Sequence, residues 1–111
     1  MTVWQRAMEL TEAIYTLTKT FPRDEVYGLS SQLRRASVSI ASNIAEGRAR
    51  ATDRDFRQFL NIALGSTYEV QTQLLLAKRL KIGDDATQRK AESLCIETSK
   101  MLGAFLQSLK S

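Results

Sequence analysis

The chain contains no histidine. That removes the commonest general base and the commonest metal ligand. Cys95 is the only cysteine, so no internal disulfide can form and a zinc site of the usual Cys/His kind is excluded. One proline and five glycines in 111 residues leave little to interrupt regular structure. No apolar run approaches the roughly 20 residues that cross a bilayer. No secretory leader is evident, because the first amphipathic pattern already begins at Val3. These absences predict a non-enzymatic protein of the reducing cytoplasm, with no membrane, metal or cofactor partner.

What is present is ordinary for a globular domain: 43% hydrophobic and 25% charged residues, in a length that suits one domain spanning residues 1–111. Abundant Leu, Ala, Arg, Gln and Glu favour helix over strand. The net charge of +4 is a mild excess that admits an anionic partner without demanding one.

Four helical segments follow from the apolar spacing. In the first, about residues 2–20, Val3, Ala7, Leu10, Ile14, Leu17 and Phe21 recur in strict steps of four and three. A second stripe of Trp4, Met8, Thr11, Tyr15 and Thr18 runs beside it, and Pro22 ends the helix. Residues 22–29 form a connector with room for one helical turn. Ser30 is the expected N-cap of the second helix, which runs to Ala45 or Glu46 with Gly47 as its stop. Thr52 with Asp55 resembles a capping box and opens a third helix from Asp53 to Lys81. Gly83 ends it. Asp84 or Asp85 caps a fourth helix that runs to near Leu109, with Leu94, Met101, Phe105 and Leu109, and the smaller Ala91 and Thr98, on its inner side. Short connections between long helices predict an all-α, antiparallel, up-down-up-down four-helix bundle.

The second helix is unusual. Leu29, Leu33, Ala36, Ile40 and Ile44 form its core sector, while Gln32, Arg35, Ser39, Asn43 and Glu46 run directly alongside. Arg34, Val38, Ala41 and Ala45 occupy the remaining, oddly unpolar surface. On the third helix Phe56, Phe59, Ala63, Thr67, Val70, Leu74 and Ala77 form a core stripe flanked by Ser66, Glu69 and Gln73. Antiparallel register brings Arg35 level with Glu69 and predicts an ion pair there, supported by Gln32, Ser39, Asn43 and Ser66. This polar seam has two readings: a device that fixes register, or a ligand site on Arg35, Glu46 and Glu69.

Leu60, Leu64, Tyr68 and Leu75 project from the third helix on a face separate from its core stripe. They predict a homo-oligomer interface, the alternative being a cover from the fourth helix or a loop. Arg48, Arg50, Arg54 and Arg57 cluster around the second turn; Lys78, Arg79 and Lys81, with Arg89 and Lys90, gather at the third. Each cluster reads either as a phosphate-binding patch or as a solvated helix end. No base-reading motif is present.

The pattern Val3-Trp4-Gln5, then Phe21-Pro22, Tyr27-Gly28-Leu29, Gln32-Leu33-Arg34-Arg35-Ala36, Asn43-Ile44-Ala45-Glu46-Gly47 and Ile62-Ala63-Leu64-Gly65-Ser66 resembles the bacterial 23S rRNA-intervening sequence proteins. The resemblance covers residues 3 to about 80. It implies a cytoplasmic four-helix bundle assembled as a homopentamer, without catalytic residues. Accessory proteins of diversity-generating retroelements are similar, and imply RNA or DNA and a reverse transcriptase as partners. Ala41 stands where that family commonly has proline, and the lead-in before Val3 is short. The expected function is a nucleic-acid-binding accessory module acting through pooled basic patches; the alternative is a protein–protein adaptor or scaffold.

Overall fold

A computed structural model describes residues 1–109. Four helices carry the fold: α1 Thr2–Thr18, α2 Leu29–Arg48, α3 Asp53–Arg79 and α4 Asp85–Ser108, with a 3-10 turn at Arg23–Glu25 in the first connector. No strand occurs among the described residues.

The heptad-like seam of α1 is buried throughout, and Phe21 extends it just past the helix end. That end falls at Thr18, earlier than the apolar spacing suggests. The Thr18 hydroxyl donates to the Ile14 carbonyl at 2.8 Å and the Thr20 hydroxyl to the Leu17 carbonyl at 2.6 Å, so side chains take over the last turn. Pro22 then disfavours helical geometry at Phe21.

At the start of α2, Ser30 is not the cap. The Glu25 carboxylate accepts from the Leu29 amide at 3.1 Å, and Ser30 is buried inside the first turn. Nor does Gly47 stop the helix, which continues to Arg48. Gly47 is needed for close packing: a Cβ there would lie 2.9 Å from both Phe56 Cδ1 and Phe59 Cβ on α3.

Thr52 opens α3 as expected, its hydroxyl accepting from the Asp55 amide at 3.2 Å. The α3–α4 reversal uses positive φ at Lys81 (59°) and Gly83 (88°). At Gly83 a Cβ would also sit 2.5 Å from Phe21 Cε1. Asp84 caps α4 by accepting from the Thr87 amide at 2.9 Å, which holds its carboxyl below the usual range. The Asp84 amide donates to the Thr20 hydroxyl at 2.9 Å, tying this turn to the end of α1.

Cross-helix contacts fix the alternation of direction. Thr18 near the end of α1 meets Arg34 near the start of α2. Gly47 near the end of α2 meets Phe56 near the start of α3. Leu74 late in α3 meets Gln88 early in α4, and Arg57 early in α3 meets Leu109 just past the end of α4. Each helix packs on the next and α1 closes on α4, in a rod of 45 × 22 × 19 Å.

Two expectations need correction. Leu60 is fully buried and Leu64 is half-buried against the core, so neither is part of an outward face. The reason is that α3 occupies a corner and must cover both α2 and α4. Leu60 shares a face with Thr67 and Leu74, which touch Cys95 and Gln88 of α4. Likewise Ala41 is buried, one turn on from the Ser37 carbonyl that Thr11 of α1 contacts. On α4 the most buried line is Gln88, Ala91, Cys95, Thr98 and Leu102, while Leu94, Met101, Phe105 and Leu109 are only partly buried.

Candidate functional surfaces

The polar seam is real in part, and it runs across the bundle rather than along one helix. At mid-height the Thr11 hydroxyl donates to the Ser37 carbonyl at 3.1 Å, linking α1 to α2. The Ser39 and Ser66 hydroxyls lie 2.9 Å apart, linking α2 to α3. The Cys95 thiol donates to the Thr67 carbonyl at 3.3 Å, linking α3 to α4. Asn43 donates to the carbonyl and hydroxyl of Ser39 at 2.8 and 3.0 Å. Small hydroxyl-bearing residues let the helices approach while these hydroxyl, thiol and amide groups find partners, whereas Gln73 Oε1 and Gln88 Oε1 are buried without one among the described residues. Burial pushes the Cys95 thiol up to about 11, which leaves it protonated and inert at neutral pH.

No ion pair joins Arg35 to Glu69. Both are exposed, and they line a shallow cleft of about 410 Å³ with Gln32, Ala36, Ser39 and Gln73. Facing water, such a pair gains little from closing. Glu46 turns away to Arg50, one turn on, at 3.2 Å. The three charges therefore do not converge on one site.

The two basic clusters occupy opposite ends of the rod and differ in kind. Around the α2–α3 turn, Arg50 stacks on Phe59, 4.6 Å above the ring, besides pairing with Glu46. Arg57 donates to the Leu109 carbonyl at 2.6 Å, capping the negative end of α4. Two of these four arginines therefore serve the fold, and Arg48 and Arg54 remain exposed. At the other end Arg79, Lys81, Arg89 and Lys90 are exposed without an ion pair among the described residues, and Lys78 lies 3.9 Å from Glu92. Lys78, Lys81 and Arg89 border a cleft of about 710 Å³ whose wall includes buried Gln88. Gln88 donates to the Leu74 carbonyl at 2.8 Å, a role its polar side chain concealed in the sequence. Sequence reasoning also missed the clamp of Arg6 on Glu97 at 2.7 Å, which joins α1 to α4 and raises the Arg6 pKa.

Apolar side chains stay exposed on two opposite sides. On the α3–α4 side, Tyr68 (56% exposed), Leu75 (49%) and Ile96 border a groove of about 330 Å³ with Leu74 and Cys95 in its lining. On the α1–α2 side stand Met8, Tyr15 and Val38. Both sets flank the same mid-height layer, since Val38 neighbours the Thr11–Ser37 contact and Tyr68 and Ile96 neighbour the Thr67–Cys95 contact. Ile62, Leu76 and Leu80 are exposed elsewhere on α3 and just beyond its end.

A sequence model for 23S rRNA-intervening sequence proteins matches residues 1–104. Among solved structures, a protein of unknown function from the S23 ribosomal protein family of Bacteroides thetaiotaomicron superposes with a TM-score of 0.85 at 26% identity. The match covers 94% of this chain and 97% of that one. No curated protein matches. With four antiparallel helices and a family model that spans nearly its whole length, the chain belongs to the 23S rRNA-intervening sequence protein family.

Proposed function

We propose that this is a non-enzymatic, cytoplasmic, homo-oligomeric module that binds RNA or DNA through basic groups pooled from several subunits. The observation that carries the reading is the pair of exposed apolar sides on opposite faces of the bundle, at one height. Different patches on two sides favour a head-to-tail contact, which closes into a ring when successive copies meet without axial shift and each is turned by a whole fraction of a circle relative to the last. The family resemblance suggests five copies. A ring gathers like ends on one rim, so exposed cations such as Arg79 and Lys81 repeat once per subunit. Simultaneous engagement of several weak phosphate contacts raises affinity by about 10²- to 10⁴-fold. The inert thiol of Cys95 and the lack of histidine favour a binding role over catalysis.

The second reading, an adaptor or scaffold without nucleic acid, draws support from Arg57, which caps the end of α4, and from Arg50, which pairs with Glu46 at the surface. Titrating single- and double-stranded RNA and DNA against salt separates the two. Binding that falls linearly on a log–log salt plot supports the first reading, and no complex at low salt overturns it.

A further inference from the structure

We infer that the end of the bundle built from residues 19–28 and 78–92 is a site for single-stranded nucleic acid, with Tyr27 as the surface on which a base stacks and Arg79, Lys81 and Arg89 as its phosphate contacts. This rests on the nucleic-acid reading above and deepens it, because the two basic ends are no longer equivalent.

Tyr27 is 96% exposed, the most exposed large hydrophobic side chain among the described residues. It pairs with no aromatic ring and no cation there. Nor does it hang from a loose loop. Glu25 accepts from the Leu29 amide at 3.1 Å, the Gly28 amide donates to the Glu25 carbonyl at 3.0 Å, and the Val26 amide donates to the Arg23 carbonyl at 3.2 Å. A hydrogen-bonded turn thus holds the ring out into water.

The same end carries the cations that the fold leaves unused. The connector and the α3–α4 turn form one surface, joined by the Asp84–Thr20 hydrogen bond and the contact of Gly83 with Phe21. Seven cations and five carboxylates lie in the two segments. Of the carboxylates, Glu25 and Asp84 are engaged by backbone amides and Glu92 faces Lys78. A projecting ring at the same end of the bundle as exposed cations needs an unstacked base to be useful. A duplex offers phosphates but covers its base faces, so the combination selects single strands.

The test is fluorescence anisotropy of the intact protein with short single-stranded RNA, single-stranded DNA and duplex probes over a range of salt. Tyr27→Ala is expected to weaken single-strand binding roughly 5- to 150-fold, and Tyr27→Phe to retain it. Lys81→Glu with Arg79→Glu is expected to lower the salt slope by about 0.7 for each phosphate that is no longer neutralised. Tyr27 buries almost nothing, so far-UV circular dichroism should be unchanged in its variants. The inference is overturned if Tyr27→Ala binds like wild type, if duplex binds as tightly as single strands, or if Arg48→Glu abolishes binding while the Lys81 and Arg79 changes do not. If wild type binds no probe at low salt, the nucleic-acid reading itself falls, and this inference with it.

Discussion

Leu60 offers a sharp test of the packing, because the sequence wheel places it outside the core stripe of α3 and the structure buries it completely. Leu60→Ala removes about three methylene equivalents at ~0.8 kcal/mol each. The cavity left behind adds to that, and comparable fully buried sites lose about 2.7–5 kcal/mol. The expected cost is therefore about 3 kcal/mol, a large share of the roughly 5–15 kcal/mol that stabilises a domain. At ~4 °C per kcal/mol, Tm should drop by about 12 °C. Leu75→Ala is the control, since Leu75 is 49% exposed on the same helix. It should cost the single bundle less than about 1 kcal/mol. Thermal unfolding by far-UV circular dichroism reads both, at low protein concentration where association contributes least. A Leu60→Ala variant no less stable than Leu75→Ala would refute the corner position assigned to α3.

Arg35→Ala should change unfolding free energy by less than about 0.5 kcal/mol in urea titrations, because Arg35 is exposed and makes no ion pair among the described residues. A loss of about 3 kcal/mol or more would reinstate the buried pair with Glu69. Cys95 should make stability pH-dependent at the alkaline end. Its folded-state value is raised from the ordinary 9.0 to about 11, so its contribution is fully present below pH 9 and lost as pH climbs towards 11. The linked loss amounts to about 3 kcal/mol at most, and the stability gap between wild type and Cys95→Ala should narrow over that window. A gap constant between pH 8 and 11 would refute the burial of the thiol.

The helices were legible because apolar spacing is a local signal: the 4-3-4-3-4 seam of α1 and the Thr52 cap are as the residues suggest, and Asp84 is the one of the two expected aspartates that caps α4. What stayed hidden depends on neighbours. Gly47 reads as a helix stop in isolation, and only the proximity of Phe56 and Phe59 reveals it as a packing glycine. Ser30 reads as a cap until Glu25 takes that place from four residues upstream of Leu29. Leu60 and Ala41 read as surface because a single-stripe wheel cannot know that a corner helix buries a wider arc. Ser39 and Ser66 were expected to support an Arg35–Glu69 pair, and instead their hydroxyls meet each other where α2 and α3 pack. Arg35 and Glu69 were placed level correctly, yet exposure to water removed the reason for them to pair. Arg50 and Arg57 read as free cations in the sequence because their partners, Phe59 and the Leu109 carbonyl, belong to tertiary structure.

Mass in solution bears most directly on the proposed function, because pooled basic ends require several copies. Light scattering behind size exclusion at micromolar concentration should give a multiple of the 12.5 kDa chain, five-fold under the assembly proposed above. Val38→Glu, which charges a side chain 43% exposed in the isolated bundle, should return it to single chains with helical content intact. Wild-type protein eluting at 12.5 kDa under those conditions would contradict the account.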